Sequence, residues 1–143
     1  MTVRTILDEK GFDVQTIAPE ATLREATELL AARRIGAVVV TDEERRVVGI
    51  LSERDVVRVV GLDGPSRFDD SVASVMTSRV VTCEGHETVQ QIMEHMTAGR
   101  FRHLPVVQGG RLVGIISIGD VVKHRLAEME RESHAMREYI MTA

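Results

Sequence analysis

Val47-Val48-Gly49-Ile50-Leu51-Ser52-Glu53-Arg54-Asp55-Val56-Val57 returns later in the chain as Leu112-Val113-Gly114-Ile115-Ile116-Ser117-Ile118-Gly119-Asp120-Val121-Val122. Gly114 follows Gly49 by 65 residues. Upstream, Thr16 matches Thr82, Thr22 matches Thr88 and Arg34 matches Arg100, each pair 66 apart. The one-residue slip falls between Val40 and Arg46 in the first copy, opposite Val106 to Arg111 in the second. A turn belongs there, and length changes in turns cost little. Two registers that agree over roughly sixty residues identify an internal duplication.

Each copy spells the same order of elements. Val14 to Ile17 and Val80 to Cys83 have the composition of short first strands, ended by Pro19 and Gly85. Thr22-Leu23-Arg24-Glu25 and Thr88-Val89-Gln90-Gln91 are capping boxes, in which a Thr side chain caps a helix and an acid or amide reaches back. Leu23, Ala26 and Leu30 fall on one face of the first helix, as do Val89, Ile92, Met93 and Met96 in its counterpart. Two strands follow, Gly36 to Val40 with Arg46 to Leu51, and His103 to Val107 with Arg111 to Ile116. Gln108-Gly109-Gly110 supplies a tight turn in which glycine takes positive φ. A second helix begins near Ser52 or Ser117. The unit is β-α-β-β-α, written twice. Neither copy alone has residues enough for a secure core, so the two are expected to pack together as a pseudo-twofold pair.

These readings predict a mixed α/β chain divided into residues 3–60, a linker over 61–74 marked by Gly61, Gly64 and Pro65, a second copy over 75–130 and a helical tail over 131–143. The last helix is predicted from Asp120 to about Tyr139, with Val122, Leu126 and Met129 continuing into Met136 and Ile140.

Composition narrows the function. The 143 residues are 43% hydrophobic but only 3% aromatic, so the core is aliphatic. The formal charge of −4 argues against a nucleic-acid binder, which normally shows a basic face. Cys83 is the sole cysteine, so no intramolecular disulfide forms, which fits a reducing compartment. The opening Met1-Thr2-Val3-Arg4 runs into charged residues, with no pattern of a signal peptide. No aliphatic stretch reaches membrane-spanning length. The expectation is a cytoplasmic protein with no membrane contact.

Arg100-Phe101-Arg102-His103-Leu104-Pro105-Val106-Val107 followed by Leu112 to Val122 resembles the second half of a cystathionine β-synthase (CBS) domain. Arg34 to Val40 with Gly49 to Val57 resembles it again, and Val75-Met76-Thr77 is similar to the segment that leads into a repeat. The resemblance covers about residues 3 to 130 with no partner domain attached. It implies a CBS pair of the free-standing type, usually a disc-like homodimer, and a regulatory rather than catalytic role. It implies a ligand among AMP, ATP, NAD(H) and S-adenosylmethionine, and no catalytic cofactor.

The residues themselves point the same way. Ser52-x-x-Asp55 and Ser117-x-x-Asp120 each stand where an apolar strand runs into a helix. A helix N-terminus offers free N–H groups and positive potential, which suit a phosphate. An ionised Asp one turn later is an acceptor only and can take both hydroxyls of a ribose. The same spacing also serves as a plain helix cap. Thr16-Ile17 and Thr82-Cys83 are expected beside their own motif, with Ala37-Val38 and His103-Leu104 on the next strand. Backbone groups there can read a purine edge while aliphatic side chains clamp its faces. The resemblance makes the backbone at Ala37 and His103 the base-reading point. The bland reading is that Val38, Cys83, Leu104 and Pro105 are simply core.

The copies differ. Arg54 lies inside the first motif and Gly119 inside the second, where Gly lets a ligand come close to the backbone. Arg102 and His103 have no counterpart in the first copy, so Ser117 and Asp120 are expected to form the stronger site. His86, His95, His103, His124 and His134 lack metal-ligand spacing, and there is neither a nucleophile elbow nor a phosphate-binding Walker loop. Three readings stand: an adenine-nucleotide sensor, a ligand-free scaffold that docks an unidentified protein partner, and a small nucleotide-processing enzyme, the last weakened by the lack of a paired base and nucleophile.

Overall fold

A computed structural model describes residues 1–142. The chain starts with helix α1 (Val3–Lys10), capped by Thr2, whose side chain accepts from the Thr5 amide. The first copy follows as β1 (Thr16–Ile17), α2 (Leu23–Arg33), β2 (Ala37–Thr41), β3 (Val47–Ser52) and α3 (Glu53–Asp63). A 3-10 turn (Pro65–Asp69) and a short helix α4 (Val72–Val75) lead to the second copy: α5 (Val89–Gly99), β4 (His103–Gln108), β5 (Arg111–Ser117) and α6 (Ile118–Thr142). Thr22 and Thr88 cap α2 and α5 as the sequence predicts, but the capping box is complete only at Thr88, where the Gln91 side chain accepts from the Thr88 amide; Glu25 does not reach back to Thr22.

In the first sheet β1 runs parallel to β2, which pairs antiparallel with β3. The second sheet is the β4–β5 hairpin, with positive φ at both Gly109 and Gly110. Both hairpins are irregular at matching places, after Val40 and after Val106. The mixed α/β architecture of two repeats and a long final helix is the one read from the duplication. Three details differ. Residues 80–83 form no strand; a single parallel bridge at Cys83 to Val106 stands in its place. Segment 61–74, expected as a linker, carries the end of α3, the 3-10 turn and most of α4. The final helix starts at Ile118 and runs to Thr142, and residue 143 of the expected tail lies outside the described residues.

Packing explains how the halves hold together. Val3, Ile6 and Leu7 of α1 are fully buried with Ile92, Leu104, Ile116 and Val121 of the second copy. Val72 and Val75 of α4 are buried with Leu23, Leu30, Val38 and Leu51 of the first. Each short helix therefore packs on the copy it does not belong to by sequence order. The crossing chain is tied by backbone bonds: Ile50 and Thr77 exchange both N–H···O pairs, and the Leu112 N–H donates to the Arg45 carbonyl.

Gly49 and Gly114, matched in the duplication, serve this crossing. A Cβ on Gly114 would sit 2.9 Å from Cδ2 of Leu7, and one on Gly49 would collide with Met76. Leu7 is branched and fully buried, whereas Met76 is unbranched and half-buried. Gly114→Ala should therefore destabilise the fold by about 1–3 kcal/mol, as overpacking does. Gly49→Ala should cost less, because a thioether chain re-adapts. Urea unfolding of both variants checks this; equal stability of wild type and Gly114→Ala would refute the contact.

On the helices that follow the two hairpins, Val56 and Val121 belong to the protein's own cores and Val59 and Val60 are half-buried. Val57, Leu62, Val122 and Leu126 remain on the surface.

Candidate functional site

The register Ala37↔Ser52 brings the first motif to the mouth of its hairpin, and His103↔Ser117 does the same for the second. Both motifs act as capping boxes. The Ser52 amide and hydroxyl donate to Asp55 Oδ2 at 2.9 and 3.0 Å, and the Asp55 amide returns a bond to Ser52 Oγ. The Ser117 amide donates to Asp120 Oδ2 at 2.9 Å, and the Asp120 amide donates to Ser117 Oγ at 3.2 Å. The capping role expected as the bland alternative is thus present at both places.

The environments then diverge. A cleft of about 500 Å³ opens over the first motif, lined by Ser52, Arg54, Asp55 and Ala37 from the first copy and by Arg102 and His103 from the second. Arg102 and His103, expected beside Ser117 and Asp120, keep that place through the His103↔Ser117 register and the Ile118 N–H bond to the Arg102 carbonyl, and they line this cleft with Asp55 as well. Sequence pattern alone does not single out the cleft's other cations. Arg58, Arg79 and Arg100 bring its arginines to five, set against Glu53 and Asp55. Arg58 Nη2 donates to Asp55 Oδ1 at 3.2 Å. In a chain of net charge −4, this local excess of cations focuses positive potential where an anion would enter.

Ile50, Val80, Val81 and Phe101 add apolar surface to the same cleft, interleaved in sequence with Arg79, Arg100 and Arg102. Among the described residues, no backbone group of Ser78 to Thr82 has a backbone partner, and Arg79, Val80 and Val81 of this segment line the cleft. The free edge lies at Val80–Val81, two residues before the expected Thr82-Cys83. Thr82 itself is half-buried, and Cys83 is a core residue whose thiol burial pushes up to about 12, with Glu87 and Glu84 adding to the effect. Val38, Leu104 and Pro105 are likewise buried among core residues rather than set in the cleft. Thr16 and Ile17 line a different depression, with Glu20, Asp42 and Glu43, away from both motifs.

The second motif is occupied from within. Lys10 at the end of α1 places Nζ 2.6 Å from Asp120 Oδ2 and 2.9 Å from the Ile115 carbonyl. Burial alone would raise the Asp120 carboxyl, but the bonds from Lys10 and Ser117 outweigh it and hold the group below its ordinary range. Space does exist beside Gly119, where a Cβ would meet only Ser117 Oγ at 3.6 Å. The two motifs thus differ in setting: the first opens onto a cleft lined by arginines, and the second holds the Lys10–Asp120 pair. His103 stands between them, its pKa lowered by burial first and by Lys10 second. A neutral imidazole there offers a hydrogen bond rather than a charge, which leaves the counter-charge to the arginines.

No helix among the described residues is long and apolar enough to cross a membrane. Comparison with known proteins gives two matches to the CBS domain, at residues 3–62 and 72–127. A CBS-domain containing protein from Agrobacterium tumefaciens is 51% identical, with a TM-score of 0.83 over 87% of this chain and 99% of that one. A CBS domain protein from Pyrobaculum aerophilum, solved in complex with AMP, is 29% identical, with a TM-score of 0.75 over 84% of this chain and 89% of that one. Among curated proteins, the mitochondrial CBS domain-containing protein CBSX3 of Arabidopsis thaliana is 32% identical over 94% of this chain and 76% of its own length. Other curated Arabidopsis relatives are far longer, and the chain spans only 23% of two of them.

Proposed function

The chain belongs to the CBS domain family, and from that premise we propose that it is a regulatory module which binds an adenine nucleotide in the cleft over Ser52 and Asp55. The observation that carries this reading is that one cleft gathers five arginines, the apolar side chains of Ile50, Val80, Val81 and Phe101, and a segment whose backbone has no backbone partner. Phosphates suit the arginines, whose planar forks bind oxyanions in pairs. A purine suits the slot between Ile50, Val80 and Phe101, with its edge read by the main chain. Asp55 then takes the ribose hydroxyls once Arg58 turns from it toward phosphate. The complex of the Pyrobaculum relative with AMP supports the choice of adenine. ATP and NAD(H) present the same ribose and base with more phosphate, which the number of arginines accommodates. Signalling passes through a homodimer built on the exposed Val57, Leu62, Val122 and Leu126, in a reducing, cytoplasm-like compartment.

One observation favours the ligand-free scaffold: both motifs are already satisfied as helix caps. Thermal melting separates the readings. A ligand at a hundred times its dissociation constant stabilises by about 2.7 kcal/mol, which moves the midpoint of a chain this size by several degrees. AMP, ADP, ATP or NADH at millimolar concentration should give that shift, and GTP should give less. No shift with any of them would leave the scaffold reading.

A further inference from the structure

Helix α6 outruns the fold. Val121 and His124 are buried on its inner face, but a second stripe, rotated by about a quarter turn, is exposed along its whole length. Its members are Val122, Leu126, Met129, Ser133, Met136 and Ile140, spaced four, three, four, three and four residues apart. The apolar members grow more exposed toward the end, from 38% at Val122 to 67% at Ile140. An alternating three–four spacing is the heptad signature of helices that supercoil around a partner, with these residues at the a and d positions. The stripe is about 28 Å long at 1.5 Å per residue.

We propose that α6 pairs with α6 of a second copy as a parallel, in-register, two-stranded coiled coil running from Val122 to Ile140. The charges beside the stripe select both partner and direction. With Val122, Met129 and Met136 at d, Lys123, Glu130 and Arg137 fall at e, and Arg125 and Glu132 at g. In a parallel pair each g residue faces the e residue five places later on the other strand. Arg125 then meets the second copy's Glu130, and Glu132 its Arg137. Both contacts are attractive, and symmetry doubles them. An antiparallel pair that overlaps the same stripe sets Lys123 against Arg137, Glu130 against Glu130 and Glu132 against Glu132, all repulsive. Ser133, at an a position in the middle, leaves one small polar layer. This pairing stands apart from the nucleotide cleft and deepens only the dimer reading.

Disulfide trapping of the full chain tests it. The native thiol, Cys83, is buried and does not compete. Under mild oxidation Ser133→Cys should cross-link most of the protein as a dimer, whereas Arg131→Cys, on the opposite face of the helix, should not. Exchange of one charge, Glu132→Lys, should weaken dimerisation roughly tenfold, and adding Arg137→Glu should restore it. Equal trapping at positions 131 and 133, or no rescue by the double exchange, would overturn the pairing. Sedimentation separates the two failures: a monomer at micromolar concentration defeats the dimer reading itself, and an untrapped dimer defeats only the coiled coil.

Discussion

Asp55→Ala is expected to weaken AMP binding about tenfold to a hundredfold, the effect of losing charge-assisted hydrogen bonds worth about 1.5–3 kcal/mol. Asp55 is the acidic acceptor in the cationic cleft that is tied only to its own cap and to an exposed arginine. The variant also loses the return half of the capping box at the start of α3, which costs on the order of 1 kcal/mol of stability. Asp55→Asn separates the two effects. Its amide oxygen still accepts from the Ser52 N–H and so restores the cap, but without the negative charge it grips ribose hydroxyls poorly. Calorimetry should therefore find both variants weak for AMP, with only the alanine variant less stable. Asp120→Ala should bind AMP nearly as wild type does. If Asp120→Ala abolishes binding while Asp55→Ala leaves it intact, the cleft has been assigned to the wrong motif.

Lys10→Met should change the number of nucleotides bound. The ammonium of Lys10 neutralises Asp120 and bonds the Ile115 carbonyl beside it, where a ligand of the second motif would enter. Methionine keeps the apolar stem and removes the charge. Titration of wild type should saturate at one AMP per chain, and of Lys10→Met at two. A ratio that stays at one would show that Lys10 is not what closes the second motif. The same variant carries a pH signature. Asp120 titrates below its ordinary 3.8 in the folded chain because of Lys10 and Ser117. The stability this contributes is complete above that value and is lost as pH falls through the lower folded pKa. The stability gap between wild type and Lys10→Met should therefore be constant from neutral pH to about pH 5 and shrink in stronger acid.

The duplication made most of the fold legible. Capping threonines, paired glycines and alternating aliphatics are local signals, and Thr22, Thr88, Gly49 and Gly114 stand in the structure as their pattern requires. What stayed hidden depends on contacts between distant parts of the chain. Nothing around Val3–Lys10 says that its apolar face packs on the second copy. Yet that crossing is what delivers Lys10 to Asp120, 110 positions away. Arg102 and His103 adjoin the second motif through the Ser117 register and line the cleft of Asp55 as well, a sharing between copies that no comparison of each motif with its own neighbours reveals. The missed arginines, Arg58, Arg79 and Arg100, carry no local pattern that marks a site until the cleft brings them together. Thr82-Cys83 missed the free edge by two residues, because the strand they suggest is reduced to one bridge at Cys83 and the unpaired backbone lies before it.

An adenine nucleotide held in the cross-repeat cleft at Asp55 would mark the residues around it. Backbone NMR of the full chain during titration with AMP tests this placement most directly, because it reports binding and place together. Saturable shifts are expected at Gly36, Ala37, Ser52, Val80, Val81 and His103, with little change at Ser117 to Asp120. Shifts centred on Ser117 to Asp120, or no saturable shift anywhere at millimolar AMP, would contradict it.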